Sequence, residues 1–132
     1  MAKSIIQEVV FKNTTPQQLY ELYMDAKKHA LSTGVAADIT GKEGANFSTQ
    51  DGYITGKNLH LVKNKMIVQT WRANDWEKTD DDSIFIIYLE AKGKDTKLLM
   101  THANVPDNQA KDLETGWFDY YWKPWKKYLK GN

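Results

Sequence analysis

The chain has 132 residues and nearly balanced charge, with 18 lysines and arginines against 17 acids and a net charge of +1. That length predicts a single domain over 1–132 that buries about two-thirds of its unfolded surface. The balance gives no general pull towards nucleic acid or a membrane surface. With no cysteine in the chain, disulfides, thiolate nucleophiles and Cys-ligated metals are excluded.

The N-terminal MAKSIIQEVVF lacks a long apolar run and a small-residue cleavage site, so no signal peptide is expected. No segment approaches the about 18 apolar residues of a membrane span. A soluble, cytoplasmic protein is the expectation. Residues 4–12 are rich in β-branched side chains and read as a strand with Ile5, Val9 and Phe11 on one face. Thr15 is placed to cap a helix, with Pro16 at its first position and Gln18 completing a capping box. Leu19, Leu22 and Tyr23 form its apolar face. Asp25 can cap a second short helix running to Leu31, which Gly34 would end.

From residue 38 the punctuation becomes that of antiparallel sheet. Phe47 lies in a short strand, and Asp51-Gly52 is the strongest hairpin signal because both central turn positions favour positive φ. Residues 53–62 and 65–73 read as strands around Lys63-Asn64. The loop 74–82 is polar except for Trp76, and residues 84–91 and 96–103 pair around the turn 93–95. Pro106-Asp107 then breaks the sheet and opens a final helix from about Asp107 to Leu129.

That helix contains GWFDYYWKPWKKYL, half of it aromatic. At about 100° per residue, Asp119, Lys123, Lys126 and Lys130 share a polar stripe opposite Leu113, Trp117, Tyr121, Trp125 and Tyr128. Aromatic residues at this spacing read as core. They demand a large concave partner, and the sheet upstream supplies one. The predicted fold is α+β: a curved antiparallel sheet of six or seven strands gripping the C-terminal helix, with two short helices after the first strand. Gly116, inside this helix and beside Trp117, suggests close approach to the sheet or the short helices, and Gly56 suggests a bulge or bend. Pro124 should kink or end the helix near its last turn. The acidic loop Asp75, Glu77 and Asp80 to Asp82 and the lysines of the last helix read as solvated faces.

The run DGYITGKNLHLVKNKMIVQTWRANDW, Asp51 to Trp76, resembles the pattern of the activators of heat-shock-protein-ninety ATPase. There a Gly-x-x-x-Gly hairpin leads to a Lys-x-Ile-Val strand, then Trp-Arg and a second Trp. Phe47, Thr96, Leu98, Met100, Pro106, Gly116-Trp117 and Tyr120-Tyr121 extend the resemblance over nearly the whole chain. It implies the START-like, birch-pollen-allergen-like helix-grip fold. Many members of that superfamily hold lipids, sterols, polyketides or hormones in a tunnel between sheet and last helix. It also implies a chaperone as partner. Those co-chaperones carry a separate N-terminal domain with its own ATPase-stimulating motif, for which this chain has no room.

The chemistry available is sparse. His29, His60 and His102 have no ligand partners at helical spacing, and there is no Gly-rich phosphate loop or nucleophile elbow. No catalytic residue, metal or other cofactor is therefore assigned. Strand alternation sets Met100 and His102 beside Phe85 and Ile87 on one face. His102 is then either a hydrogen-bonded core histidine or the polar anchor of an apolar pocket. The candidate cavity lining is Phe47, Ile54, Ile67, Gln69, Trp71, Phe85, Ile87, Met100, His102, Trp117 and Tyr121. The leading expectation is a non-enzymatic binding protein for a small hydrophobic or amphipathic molecule. A co-chaperone-like interaction protein is the first alternative, and a polyketide-cyclase-like enzyme the second.

Overall fold

The computed structural model describes residues 2–131. Strand β1 (Ala2–Phe11) is followed by helices α1 (Pro16–Met24) and α2 (Ala26–Thr33). Strands β2 (Asn46–Thr49), β3 (Ile54–Val62), β4 (Met66–Ala73), β5 (Ser83–Lys92) and β6 (Asp95–Pro106) then form the sheet with β1. A 3-10 turn at Asp107–Gln109 leads into α3 (Ala110–Trp117), a π-helical segment (Phe118–Trp122) and α4 (Lys123–Gly131). The six strands run antiparallel in the order β1-β6-β5-β4-β3-β2, the lower of the two strand numbers expected.

Local chemistry sets the boundaries. Thr15 and Gln18 form the capping box reciprocally: the Gln18 N–H donates to Thr15 Oγ1 at 3.2 Å, and the Thr15 N–H donates to Gln18 Oε1 at 2.8 Å. Asp25 caps α2 through the Lys28 N–H at 3.0 Å, and Gly34 closes it in the left-handed conformation at φ 81°. The β2–β3 hairpin turns with positive φ at Asp51 and Gly52, as the sequence requires, and at Gln50 as well.

Alternation along the strands sorts the faces. Phe85, Ile87 and Leu89 are buried while Ile84, Ile86 and Tyr88 are half-buried on the other side. Register then assembles a row across the concave face, with Ile5 opposite His102, His102 opposite Phe85, Phe85 opposite Gln69 and Gln69 opposite Asn58. The last helix lies on this row. Helices α1 and α2 cover one end of it through Tyr23, whose ring packs on Phe85, Tyr121 and Trp125.

Three expectations need correcting. Pro124 does not end the helix, which continues to Gly131. The turn before it widens instead, with the Lys123 N–H bonding the Phe118 carbonyl five residues back. A wider turn gives the proline ring room it would lack against the carbonyl of a regular turn. Gly116 makes no close approach to sheet or short helices: an added Cβ would meet only the Tyr120 ring, at 3.6 Å. Gly56 is the glycine under compression, since a Cβ there would collide with the Thr70 carbonyl and come within 2.6 Å of the Phe47 ring. The bulge of β3 lies further on, between Asn58 and His60. Gly56→Ala is therefore expected to cost about 1–3 kcal/mol through overpacking. Gly116→Ala should add about 0.5–1 kcal/mol, because glycine in a helix interior is entropically unfavourable. Urea unfolding of both variants checks the pair, and equal effects would contradict this assignment of the two glycines.

Candidate functional site

Trp117 is the side chain on which the interior is assembled. Helix α3 delivers it to the concave face, where its indole lies flat on Phe85 at a centroid distance of 4.4 Å and an interplanar angle of 7°. Its Nε1–H donates to His102 Nδ1 at 3.1 Å. With Nδ1 accepting, His102 carries its proton on Nε2 and donates it to Ser83 Oγ at 2.7 Å. The Ser83 hydroxyl donates in turn to the Trp71 carbonyl at 2.8 Å. Burial pushes the His102 pKa down to about 3, so the ring is neutral at physiological pH.

Two further buried networks flank this one. The Tyr23 hydroxyl donates to Gln69 Oε1 at 2.9 Å, Gln69 Nε2 donates to Asn58 Oδ1 at 2.9 Å, and Asn58 Nδ2 donates to the carbonyls of Thr40 and Lys42. His29 Nδ1 donates to the Tyr23 carbonyl at 2.8 Å, which leaves Nε2 to accept from the Tyr121 hydroxyl at 2.9 Å. Gln50 Nε2 reaches the same hydroxyl oxygen at 3.4 Å. Burial lowers the His29 pKa, opposed in part by its bond to the Tyr23 carbonyl, and burial raises those of Tyr23 and Tyr121.

The eleven side chains expected to line a cavity are all buried, and they divide into two groups. Ile67, Gln69, Phe85, Met100 and His102 expose no surface and Ile87 only 1%, so no water-sized void lies against them. Phe47 packs beneath Gly56. The rings of Tyr23, Trp117, Trp122 and Trp125 fill the space over the sheet that a ligand was expected to occupy. Ile54, Trp71, Trp117 and Tyr121 instead reach a surface groove of about 510 Å³ between the β2–β3 loop and α3. Its remaining walls come from residues that sequence reasoning did not select: Gln50, Tyr53, Asp75, Gln109, Asp112, Leu113, Gly116 and Tyr120. The Tyr53 hydroxyl donates to Asp75 at 2.7 Å, and burial together with that bond pushes its pKa up to about 12. The only sequence signal for this wall was the double aromatic Tyr120-Tyr121 beside Gly116. Among the described residues no three His, Cys, Asp or Glu side chains come together to hold a metal ion, and no helix is long and apolar enough to cross a membrane.

A curved antiparallel sheet gripping a long C-terminal helix, with two short helices after the first strand, is the α+β helix-grip architecture of START-like proteins. The pattern described as "Activator of Hsp90 ATPase homolog 1-like protein" matches residues 13–130, and the chain belongs to that family. The human activator of 90 kDa heat shock protein ATPase homolog 1 is 26% identical over 110 residues, covering 83% of this chain and 32% of that protein. The Dictyostelium discoideum homologue is 28% identical over 103 residues, 78% of this chain and 27% of its own length. The chain thus spans about a third of these curated relatives. An HSP90 activator from Plasmodium falciparum superposes with a TM-score of 0.87 at 26% identity, covering 97% of this chain and 96% of that one. CalU16 from Micromonospora echinospora shares the fold, with a TM-score of 0.83 at 18% identity over 98% of this chain and 76% of that one.

The His102 network has a measurable pH signature. His102 titrates near about 6.5 in an unfolded chain and at about 3 here. Between those values the unfolded state holds more protons, so stability falls as pH falls, by about 1.4 kcal/mol per pH unit for this residue. His29, also lowered, acts in the same direction. His102→Leu orphans the Trp117 N–H and should cost about 1–3 kcal/mol at neutral pH. It also removes one titration, so its stability should converge on that of the wild type between about pH 4.4 and 5.8. Denaturant unfolding across the pH range reads both effects, and parallel curves for the two proteins would contradict the network.

Proposed function

We propose that this chain is a protein-interaction domain of co-chaperone type, engaging a ninety-kilodalton heat-shock ATPase and performing no chemistry of its own. The observation that carries this reading is the filled interior beside an exposed aromatic surface. Phe85, Met100 and His102 are sealed by the last helix, whereas on that helix Phe118 is 50% exposed and Tyr120, at the edge of the groove, is 64% exposed. Aromatic residues often dominate interface energies, and Tyr120 adjoins the further aromatic surface of the groove. The names of the human and Dictyostelium relatives support the choice of partner. The absence of cysteine agrees with a cytoplasmic setting.

A small amphipathic molecule is the second reading, favoured by the volume of the groove and its convergent polar groups. Support for enzymatic turnover is thinner. Both His102 nitrogens are occupied by protein groups, and the titratable pairs at the groove, Tyr53–Asp75 and His29–Tyr121, are each bonded to one another.

Titration calorimetry with the chaperone of the protein's own host tests the first reading. Saturable binding is expected, weakened about tenfold or more by combined Phe118→Ala and Tyr120→Ala. Stimulation of the chaperone ATPase by the 132-residue chain alone should stay below about tenfold, or about 1.4 kcal/mol on the barrier. No binding, or binding indifferent to both aromatics, would overturn the proposal.

A further inference from the structure

We infer that the groove between the β2–β3 loop and α3 accepts a cation: it seats a lysine or arginine side chain, with an apolar neighbour, from an extended segment of a protein partner. This deepens the interaction reading and rests on it for the choice of a protein as occupant.

The walls select the charge. Tyr53, Trp71, Trp117, Tyr120 and Tyr121 supply aromatic surface, whose faces attract an ammonium or guanidinium group. Asp75 and Asp112 stand among them, and none of the lining residues is a lysine or arginine. Basic and acidic residues are nearly equal over the whole chain, so this sign belongs to the groove. Some carboxylates outside the groove are paired, Asp82 with Arg72, Asp107 with Lys3 and Asp95 with Lys12. Among the described residues neither Asp75 nor Asp112 makes an ion pair. Asp75 accepts only the Tyr53 hydroxyl, through Oδ1. A cation entering the groove therefore meets two carboxylates without an ion-pair partner beside aromatic side chains, of which Trp71, Trp117 and Tyr121 are buried.

The shape selects the occupant. Tyr53 and Tyr120 remain 39% and 64% exposed, so the groove is open along one side. A small ligand would be left wet there, whereas sites for such ligands usually enclose most of them. A peptide segment can place one side chain in the groove and continue past it. The wall is also held in advance of binding. The Asp51 N–H donates to the Ala36 carbonyl at 2.9 Å, and the Asn74 N–H donates to the Tyr53 carbonyl at 2.8 Å. Less ordering is then required when the partner arrives.

The test titrates the full chain with acetyl-Ala-Leu-Lys-Leu-Ala-amide and with analogues bearing norleucine or glutamate in place of the lysine, followed by NMR. The lysine peptide should move the indole N–H signals of Trp71 and Trp117 and bind about tenfold more tightly than the norleucine peptide, with the glutamate peptide weakest. In Asp75→Asn with Asp112→Asn, the lysine peptide should fall to the norleucine level while the melting temperature stays unchanged. Asparagine keeps an acceptor for Tyr53, so the fold is not at risk. Equal binding of the three peptides, no shifts at millimolar peptide, or an unaffected double variant would each overturn the inference. Chaperone binding measured on the same samples separates the two proposals. A chain that binds chaperone but does not discriminate among the peptides sinks the cation site alone. A chain that prefers the lysine peptide but binds no chaperone sinks the co-chaperone reading alone.

Discussion

The contact on which the rest depends is the indole of Trp117 lying flat on Phe85 while its N–H is held by His102. Stacking fixes the distance of the last helix from the sheet, and the hydrogen bond fixes its rotation. Aromatic stacking contributes about 0.5–1.5 kcal/mol beyond burial, and the hydrogen bond about 1 kcal/mol net. Its larger effect is negative: a slipped helix would leave the indole donor and His102 Nδ1 unmatched in a region without water. The relay through Ser83 to the Trp71 carbonyl ties the same decision to β4, β5 and β6.

The π-helical turn follows from this constraint. On a regular helix Trp122 lies about 140° from Trp117 and could not share its face. With hydrogen bonds reaching five residues back the wider turn brings Trp122 round. The two indoles then stack at 5.6 Å and 18°, and Trp122 Nε1 donates to Gln7 at 2.7 Å. Gln7 completes the clamp by donating to the Glu114 carbonyl at 2.7 Å. Phe118 and Tyr120 within the same turn stay exposed.

Much of this architecture was legible because it is local. The capping box at Thr15, the left-handed stop at Gly34, the turn at Asp51-Gly52 and the alternation of Phe85, Ile87 and Leu89 each depend on residues close in sequence. Strand alternation, with helical spacing for Trp117 and Tyr121, also placed all eleven candidate side chains inside, but periodicity reports a face and not the space in front of it. Whether that space is empty depends on Tyr23 and Trp125 arriving from other elements. Gly116 and Gly56 were misread for the same reason, since a missing side chain does not say which neighbour needed the room. The His29–Tyr121 bond joins residues 92 apart and Tyr23–Gln69 residues 46 apart, so neither leaves a spacing pattern. Tyr53, Asp75 and Asp112 come from a hairpin, a loop and a helix, and only the folded chain makes them neighbours.

The filled interior decides where recognition can happen. A ligand-sized void of about 300 Å³, at about 24 cal/mol per Å³, would cost about 7 kcal/mol, comparable with the about 5–15 kcal/mol that stabilises a whole domain. Opening one here would also separate Trp117 from Phe85 and strand the polar atoms of His102, Ser83 and Gln69. A ligand seeking that space would have to supply the whole difference before binding with any net affinity. At the groove the walls are already apart, Tyr120 is already in water and the carboxylate of Asp112 is already unpaired. A partner there displaces solvent and leaves protein contacts in place. On the reading proposed above, the fold's own tryptophans occupy its concavity, and the selective surface lies outward at the mouth of the grip.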